Sequence, residues 1–354
     1  MQTFVKESRD LWQYLCSVTK PIVLYGMGNG AEKIMAVLKS YDIPLSAIFA
    51  SDDFVRGHSF HGYRVLKYHE VCKEYQNFIV LVAFGTEKED VMQNIARIAA
   101  EQELYVPDVP VIGDGLWNMD YFYEHEAEIE QAYYTFADAC SQKVFADILN
   151  FKLSGKWHYL QSSASPLMQA YESILQLGGD EIFMDLGAYT GDTIEEFIKF
   201  AGSYEKIIAM EPDYKNFMKL QKRIAEKQYQ NICCYNLGVW NKRDMLFFSA
   251  LAGRNSSLNQ KLGKEVAVES VDNILCGARA TYIKMDVEGA EKEALLGAGE
   301  TISRFQPKLL ISAYHRNEDF FKLPALIKML NPAYRIYLRR HPAIPAWNLN
   351  IYAI

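Results

Sequence analysis

The hydrophobic positions at the start of the chain form short continuous runs that alternate with longer amphipathic stretches. The runs that predict strands are 22–25, 47–49 and 78–84, and the stretches with helical spacing are 31–40 and 87–101. Short apolar runs bounded by turn residues are typical of buried strands, and strands that alternate with helices predict a parallel sheet. We therefore expect a small parallel α/β domain over residues 1–115.

The pattern changes between Trp117 and Asn150. Few helix-breaking residues occur there, and the apolar side chains recur at helical spacing. A polar, turn-rich segment follows from Ser154 to Pro166. Together these stretches predict a helical connector over residues 116–165.

Alternation of strands and helices resumes at Glu181. The predicted strands are 182–186, 206–210, 231–237, 266–271, 281–285, 308–312, 334–338 and 349–353, and the predicted helices are 192–200, 214–227, 290–298 and 320–330. About seven strands with helices between them are typical of a complete nucleotide-binding sheet. We expect this second α/β domain to occupy residues 166–354.

The composition is that of a soluble globular protein, with 50% hydrophobic and 23% charged residues. The net charge is −7, which argues against a chain that wraps nucleic acid or lies on an anionic membrane. Residues 1–150 carry 12 basic and 22 acidic side chains, a net of −10, whereas residues 151–354 carry 25 and 22, a net of +3. Since the acidic excess lies in the front half, an anionic substrate of the second half stays open.

The six cysteines show no metal-binding spacing and are too few for a disulfide framework. They predict a reducing, cytoplasmic location. The first residues are charged where a signal peptide needs an apolar core, and no apolar run approaches the ~20 residues that span a bilayer.

A glycine-containing loop in the second domain is the first candidate site. The sequence DLGAYTGDT directly follows a predicted strand and opens a helix. Glycines let the backbone turn sharply, and a helix N-terminus attracts anionic groups, so the loop predicts a nucleotide-like ligand, with a purely structural turn as the alternative. The candidate ligand-binding residues are Asp185, Gly187, Tyr189, Gly191, Asp192 and Thr193.

The next strand ends with Glu211, followed by Pro212. An acidic side chain at the tip of the second strand can accept hydrogen bonds from both hydroxyls of a ribose. Proline limits Glu211 to an extended backbone. The alternative is an ordinary solvated carboxylate.

Two later strands place titratable side chains at the same carboxyl edge of the predicted sheet. Asp286 and Glu288 end one strand, and His315 follows another. The ordinary pKa of histidine suits proton transfer near neutrality, although a histidine at a strand end can also be structural. The basic run Arg339-Arg340-His341 predicts either a phosphate contact or, preferably, a solvated strand edge.

The motifs resemble one known family when they are taken in order. The blocks DLGAYTGDT, AMEP, NLGVW, ESVDNIL, YIKMDVEGAE and QPKLLISAYH look like the FkbM family of S-adenosylmethionine-dependent methyltransferases. The segment TFADACSQKVFADIL resembles the helix that precedes the catalytic domain in many members, so the resemblance covers about residues 130–354.

The resemblance implies a class I methyltransferase fold, a seven-stranded Rossmann-like sheet with S-adenosylmethionine at its carboxyl edge. Asp185, Gly187 and Gly191 would hold the methionine and ribose part of this cofactor, and Glu211 the ribose hydroxyls. The stretch with Asn236, Gly238 and Val239 would border the adenine, and Asp286 would also contact the cofactor. Known members are mainly O-methyltransferases that act on hydroxyls of polyketides or sugars.

Methyl transfer requires the acceptor hydroxyl to be held in line and water to be kept out. We expect His315 to be the general base, with Asp286 as the next candidate and Glu288 beside them. A divalent metal held by these three side chains is an alternative, since oxygen ligands suit Mg²⁺. We do not favour it, because the acids could simply bind acceptor hydroxyls.

The front domain has its own glycine turn, Gly26-Met27-Gly28-Asn29-Gly30. The segments IVLYGMGNGAEKI, IFASDDFVRGHSFHGYRVL and FIVLVAFG look like the small sugar-nucleotide-binding domain that precedes some sugar acyltransferases. Gly28, Gly30 and Asp52 could then hold a nucleotide sugar. The alternative is a vestigial domain or one that forms a homodimer. His58 and His61 are expected to be solvated.

The sequence therefore predicts an O-methyltransferase that acts on a hydroxyl of a sugar, glycan or sugar-containing metabolite, as in polysaccharide biosynthesis. The alternative is a non-catalytic adaptor that binds S-adenosylmethionine or a nucleotide sugar in a biosynthetic assembly. A nicotinamide oxidoreductase is disfavoured, because the better-formed loop is followed by the methyltransferase-like order of motifs.

Overall fold

A computed structural model describes residues 4–113, 115–249, 257–259 and 264–354. The helices are α1 (Leu11–Ser17), α2 (Asn29–Ser40), α3 (Tyr68–Glu74), α4 (Glu89–Glu101), α5 (Met119–Glu124), α6 (Glu126–Thr135), α7 (Ala139–Ser154), α8 (Trp157–Ser163), α9 (Leu167–Ala170), α10 (Asp192–Ala201), α11 (Tyr214–Lys227), α12 (Val271–Leu275), α13 (Glu291–Leu296), α14 (Gly299–Phe305) and α15 (Asp319–Leu330). The strands are β1 (Ile22–Tyr25), β2 (Ala47–Ala50), β3 (Ser59–Phe60), β4 (Tyr63–Lys67), β5 (Ile79–Val82), β6 (Glu103–Tyr105), β7 (Ile182–Leu186), β8 (Lys206–Met210), β9 (Ile232–Tyr235), β10 (Gly238–Val239), β11 (Asp244–Ser249), β12 (Ser257–Asn259), β13 (Lys264–Glu269), β14 (Tyr282–Met285), β15 (Lys308–Ser312), β16 (Ile336–Arg340) and β17 (Leu349–Ala353).

The first six strands form one sheet in the order β3-β4-β2-β1-β5-β6, which we call the front sheet. All its pairs are parallel except β3 with β4. The central strands β1, β2 and β5 are buried throughout, because helices cover both faces. The sequence pattern predicted these three strands. It missed β3, β4 and β6, whose residues are short runs of mixed burial.

Helices α5 to α9 connect the front sheet to the second half of the chain. The longest, α7, holds the N-terminal segment through Asn150, whose side chain donates to the Phe4 carbonyl (2.9 Å) and accepts from the Lys6 amide (2.7 Å). The same helix meets the last strands, since Asp138 at its N-terminus pairs with Arg339 at 2.6 Å. The helices therefore pack against both halves of the molecule.

The second half contains a seven-stranded sheet in the order β16-β17-β15-β14-β7-β8-β9, which we call the main sheet. Five strands are parallel, and β17 lies between β15 and β16 and is antiparallel to both. This is the class I methyltransferase architecture that the sequence predicted. The predicted strand over 266–271 is β13, which belongs to a separate four-stranded sheet.

The carboxyl edge of the front sheet packs against the loop between β16 and β17. Thr86, after β5, exchanges two backbone hydrogen bonds with Ile344, at 2.8 and 2.9 Å. A β-carbon on neighbouring Gly85 would lie 2.1 Å from the ring of Trp347. The Ile112 amide also donates to the His315 carbonyl at 3.2 Å. The carboxyl edges of both sheets are therefore joined in one interface.

Within the described part of the chain, every helix is too short or too polar to traverse a lipid bilayer. All six cysteines are free thiols. Three of them, Cys16, Cys140 and Cys276, are exposed.

Candidate active site

The glycine loop after β7 is shaped by close backbone contacts. Gly187 has a φ of 85°, and a β-carbon there would lie 2.0 Å from the carbonyl oxygen of Asp286. Gly191, with a φ of 88°, similarly faces Leu220 at 2.8 Å. The Gly187 and Ala188 amides both donate to the Met210 carbonyl at 3.0 Å. Only glycine fits both turns, and the loop is fixed to the two strands beside β7.

Glu211 fastens the same loop to the end of β8. Its Oε2 accepts from the Tyr189 amide at 2.9 Å and its Oε1 from the Asp213 amide at 2.8 Å. The side chain is only 5% exposed, and burial raises its pKa to about 7 despite these hydrogen bonds. Asn236 supports the turn by donating to the carbonyls of Glu211 (2.8 Å) and Pro212 (3.0 Å).

A cavity of about 460 Å³ opens at this edge of the main sheet, a size suited to a small ligand. Nine of the residues predicted from the sequence line it, namely Gly187, Tyr189, Asp192, Thr193, Glu211, Gly238, Val239, Asp286 and Glu288. The other four predicted residues do not line it: Asp185, Gly191, Asn236 and His315. The predicted residues thus form one site, in two layers.

Asp185 and Lys284 form a buried pair beneath the cavity. Asp185 is fully buried, neither of its carboxylate oxygens has a hydrogen-bond partner, and burial raises its pKa to about 6. The Lys284 ammonium lies 3.7 Å from Asp185 and 3.8 Å from Asp286. Burial opposes the charge of Lys284, yet these carboxylates raise its pKa above the ordinary value. A buried carboxylate without hydrogen bonds is a group that a ligand would satisfy.

His315 is enclosed by three carboxylates. Its Nδ1 lies 2.8 Å from Glu291 Oε1, and its Nε2 lies 3.3 Å from Glu288 Oε2 and 3.5 Å from Asp286 Oδ1. Burial alone would lower the pKa of His315, but the carboxylates raise it well above its ordinary value. A protonated imidazole has no lone pair with which to take a proton. The carboxylates in front of His315 are therefore further candidates for the general base, and the role of His315 stays a prediction.

Asp286 and Glu288 have pKa values that are shifted in opposite directions. Burial opposes ionisation of both, but Lys284 and His315 lower the pKa of Asp286. The pKa of Glu288 remains raised, since burial outweighs its ion pair with His315. Glu288 also has a left-handed φ of 52°, a strained conformation for glutamate. Neighbouring carboxyls with opposite shifts are typical of sites that move protons.

The other end of the cavity combines amide, hydroxyl and aromatic groups. Its residues are Leu167, Leu310, Ser312, Tyr314, His341, Trp347, Asn348 and Asn350, together with Glu87 and Val111 from the front half. Because a carbonyl can only accept, His341 donates from Nδ1 to the Ser165 carbonyl (3.0 Å), and Nε2 accepts from the Tyr352 hydroxyl (2.8 Å). Burial lowers the pKa of His341, so the ring is neutral.

Two sequence predictions near this end are wrong. Arg339 and Arg340 are neither at a solvated edge nor at a phosphate site, because both are buried. Arg339 pairs with Asp138, and Arg340 donates to the Leu160 carbonyl and to Ser163 Oγ. They join the connecting helices to β16.

The predicted nucleotide-sugar residues of the front half are not gathered around a comparable cavity. The space beside its glycine turn measures about 100 Å³, and of the three residues only Gly30 lines it. A β-carbon on Gly30 would lie 2.4 Å from the Ala83 carbonyl oxygen, so this glycine serves close packing. Asp52 lies 3.8 Å from Lys67. His58 and His61 are exposed, as predicted.

Comparison with known protein families finds a match that contains most of the residues of the site. Residues 185–341 match the model of the methyltransferase FkbM domain. The chain carries a methyltransferase FkbM domain. The resemblance drawn from the sequence motifs is thereby confirmed, and it implies methylation with S-adenosylmethionine as the donor. A search of curated proteins finds no match to this chain.

Solved structures show how far the fold is shared. A crystal structure of a methyltransferase FkbM from Methylobacillus flagellatus KT matches 95% of this chain and 90% of its own, with 22% identity and a TM-score of 0.72. An rRNA methylase from Streptococcus thermophilus matches 53% of this chain and 95% of its own, with 13% identity and a TM-score of 0.36. Fibrillarin from Aeropyrum pernix, solved with natively bound S-adenosyl-L-methionine, matches 55% and 74%, with 12% identity and a TM-score of 0.35. The first match therefore extends over both sheets.

The FkbM domain contains the glycine loop, Glu211 and the whole carboxylate cluster around His315. Trp347, Glu87 and Val111 line the same cavity but lie outside the matched residues. Sequence reasoning missed Lys284, although a lysine between apolar neighbours in a buried strand is unusual. It had no signal for Glu87 or Val111, because their place at the cavity follows from the packing of the two halves.

Proposed function

We propose that the protein transfers a methyl group from S-adenosylmethionine to a hydroxyl of a sugar or sugar-containing molecule. The observation that carries this proposal is the single cavity that joins three parts. These are the glycine loop with Glu211, the Asp286 and Glu288 carboxylates, and a far end of amide, hydroxyl and indole groups. Sugars offer hydroxyls to polar groups and an apolar ring face to aromatic side chains, so this far end suits them.

The first end suits S-adenosylmethionine. Glu211 retains acceptor capacity for ribose hydroxyls, since each of its oxygens accepts one backbone hydrogen bond. The acids Asp192 and Glu211, which line this end of the cavity, favour a ligand with ammonium and sulfonium charge. We assign Gly238 and Val239 to the border of the adenine, and Asn236 to holding the Glu211 turn.

Transfer forms an O–CH₃ bond at the acceptor and breaks the S–CH₃ bond, which releases S-adenosylhomocysteine and the hydroxyl proton. We assign Asp286 to orienting the hydroxyl, because Lys284 and His315 keep it ionised. Glu288, with its raised pKa, is the better-matched proton acceptor. His315 positions both carboxylates from behind and is held in turn by Glu291.

A metal is the alternative use of the same cluster. Atoms of Asp286, Glu291 and His315 lie within 4.8 Å of one another. We assign no metal there, because Lys284 already compensates the charge of Asp286 and a protonated His315 that of Glu291.

The experiment is a screen for S-adenosylhomocysteine release from S-adenosylmethionine with a panel of glycosides, followed by mapping of the methylated atom. We expect an O-methyl sugar from the wild type and at least 100-fold less product from Asp286→Asn. Methylation of nitrogen or carbon alone would overturn the assigned chemistry. Tight binding of S-adenosylhomocysteine with no methylation of any compound would favour the adaptor reading.

A further inference from the structure

A row of polar side chains crosses three strands of the main sheet beside the carboxylate cluster. Asp286 directly follows β14, Ser312 ends β15, and Asn350 lies in β17. Ser312 and Asn350 are paired directly in the ladder, and the residues two positions before Asp286 and Ser312 are likewise paired with each other. Since residues two apart on a strand point to the same face, the three side chains share one face of the sheet.

All three members of this row line the cavity. Ser312, in the middle, is buried, and its hydroxyl is already used. It hydrogen-bonds to Asp286 and, with the positive charges nearby, holds the pKa of that carboxyl down against the effect of burial. Neighbouring strands lie roughly 4.8 Å apart, so the backbones of Asp286 and Asn350 are separated by about 10 Å, with Ser312 between them.

Asn350 keeps the oxygen of its amide available to a ligand. The residue is only 9% exposed. Its Nδ2 donates to the Asn348 carbonyl at 3.5 Å. Burial raises the pKa of the Tyr352 hydroxyl, and a hydrogen bond from the Asn350 side chain acts in the opposite direction. Among the residues that the structure describes, none donates to Asn350 Oδ1, and a buried amide oxygen without a donor is a group that a ligand hydroxyl would satisfy.

The two ends of the row suit two neighbouring hydroxyls of one sugar ring. Asp286 is assigned to the hydroxyl that receives the methyl group, and Asn350 Oδ1 can accept from a second one. Hydroxyls on adjacent ring carbons lie closer together than the two backbones, so each can make a hydrogen bond of roughly 2.5–3.0 Å to the side chain on its own side. Trp347 lines the same end of the cavity and offers an apolar surface to the ring carbons.

We propose that Asn350 determines acceptor specificity by binding a second hydroxyl, on the carbon next to the one that is methylated. The acceptor is then a 1,2-diol of a sugar ring, and the hydroxyl that reaches Asp286 is the one that is methylated. A site built to hydrogen-bond a hydroxyl strongly rejects an analogue that lacks it, because the buried polar group is left unpaired. This inference rests on the proposed transfer to a sugar hydroxyl and names the class of sugar hydroxyl that is used.

The experiment uses methyl glucoside, methyl galactoside and methyl mannoside as probes and measures kcat/KM from the release of S-adenosylhomocysteine. For the best of these probes, deoxy analogues are compared that lack, one at a time, each hydroxyl next to the methylated position and one hydroxyl farther away. We expect the wild type to lose at least 100-fold in kcat/KM when one of the adjacent hydroxyls is removed. Removal of the distant hydroxyl should cost less than 10-fold.

Three variants show whether Asn350 reads this hydroxyl. Asn350→Leu removes the amide at similar volume, so it should lower kcat/KM on the parent probe at least 100-fold and abolish the penalty for the adjacent deoxy analogue. Asn350→Asp keeps an acceptor oxygen in the same place and should retain that penalty. Asn77→Leu, at an exposed position before β5, is the control and should behave as the wild type. The affinity for S-adenosylhomocysteine should be the same in all four proteins.

Three results would overturn the inference. The first is methylation at a position that has no hydroxyl on a neighbouring carbon. The second is a wild type that loses less than 10-fold with every adjacent deoxy analogue. The third is an Asn350→Leu variant that binds S-adenosylhomocysteine and still discriminates against the adjacent deoxy analogue. In each case the proposed methyl transfer to sugars would still stand.

Two further outcomes are separated by the same measurements. If Asn350→Leu does not fold, the deoxy series on the wild type and on Asn350→Asp decides, because loss of the penalty in Asn350→Asp would also contradict the inference. If S-adenosylhomocysteine binds but no sugar is methylated, the proposed sugar class fails, and this inference fails with it.

Discussion

The backbone of Gly187 in the glycine loop lies directly against the backbone carbonyl of Asp286 in the carboxylate cluster. The approach is so close that a β-carbon on Gly187 would lie 2.0 Å from the Asp286 carbonyl oxygen. The two residues follow neighbouring parallel strands, since β7 pairs with β14. Because this contact involves backbone atoms on both sides, it cannot be relieved by a rotamer change. The distance between the donor-binding loop and the proposed proton-handling groups is therefore fixed by the fold.

The first prediction concerns this contact. Gly187→Ala should weaken binding of S-adenosylhomocysteine at least 10-fold, because the loop must move away from Asp286. Gly202→Ala is the matched control, since Gly202 also has a positive φ (76°) but has nothing within 4 Å of its β-carbon position. Calorimetric titration of both variants measures the difference. Equal affinities in the two variants would contradict the claim that close approach at Gly187 sets the donor-binding loop.

The second prediction concerns the stability contributed by Glu211. Its pKa in the folded protein is about 7, above the ordinary 4.5, so the folded state binds more protons than the unfolded state between these values. The free energy of unfolding should therefore fall as pH rises through this window. Glu211→Gln cannot take up this proton, so its free energy of unfolding should lack this fall, which is worth up to ~3 kcal/mol in the wild type. Denaturant unfolding of both proteins at each pH measures the difference in slope.

The same substitution should weaken donor binding. An ionised Glu211 accepts hydrogen bonds from a ribose better than a protonated one, so the wild type should bind S-adenosylhomocysteine more tightly at pH 8 than at pH 6. Glu211→Gln should bind at least 10-fold more weakly at pH 8 and lose most of this pH dependence. If Glu211→Gln binds S-adenosylhomocysteine as tightly as the wild type at pH 8, Glu211 does not bind the ribose.

The third prediction separates the two carboxylates that line the centre of the cavity. Asp286→Asn and Glu288→Gln should each lower kcat by 10²–10⁴-fold, with little change in affinity for S-adenosylhomocysteine. Only Glu288→Gln should also remove the acid limb of the pH–rate profile, because Glu288 is the group with the raised pKa. An unchanged pH–rate profile in Glu288→Gln would indicate that Asp286, and not Glu288, accepts the proton.

The fourth prediction tests His315 as a positioning group. His315→Gln keeps a donor near Glu288 but removes the positive charge, so the pKa values of Asp286 and Glu288 should rise. The acid limb of the pH–rate profile should then move to higher pH, while affinity for S-adenosylhomocysteine stays the same.

Metal removal tests the alternative use of the same cluster. Since we assign proton transfer and no metal to this cluster, EDTA should leave wild-type turnover unchanged. Loss of turnover in EDTA that Mg²⁺ restores would support the metal alternative.

The site residues that could be predicted from the sequence could be predicted for one physical reason. Gly187, Glu211 and Asp286 directly follow buried strands, and the carboxyl ends of parallel strands meet at one edge of a sheet. Chain order therefore brings them together without knowledge of side-chain packing. The burial of His315 was not predictable in the same way, because it depends on how Glu291 of α13 and the Ile112 segment cover it.

The residues that were missed depend on contacts between distant parts of the chain. His341 reaches the cavity from β16 and is held by Ser165, and Glu87 reaches it from a loop of the front half. Periodicity describes the face of an element that is buried, but it does not say which other element covers that face. The same limit explains the error at Arg340, whose charge suggested solvent but whose guanidinium is buried and donates to the carbonyls of Leu160 in the connector and Ala343 in the loop after β16.

The fifth prediction concerns the contact between Gly85 of the front half and the Trp347 ring of the loop before β17. Gly85→Ala would place a β-carbon 2.1 Å from the Trp347 ring, so the ring must shift within the cavity. The acceptor KM should rise at least 10-fold, while the affinity for S-adenosylhomocysteine stays the same, since the donor end is formed by other loops. Gly299→Ala is the control, because its β-carbon would make only an ordinary 3.6 Å contact with Leu330.

A second variant distinguishes a shifted ring from a damaged fold. In Gly85→Ala combined with Trp347→Leu, the smaller side chain relieves the overlap and should restore thermal stability. The raised KM should remain, because the indole face is still absent from the acceptor end. If the double variant instead recovers a wild-type KM, the indole ring does not contact the acceptor, and Trp347 acts only in joining the front sheet to the loop before β17.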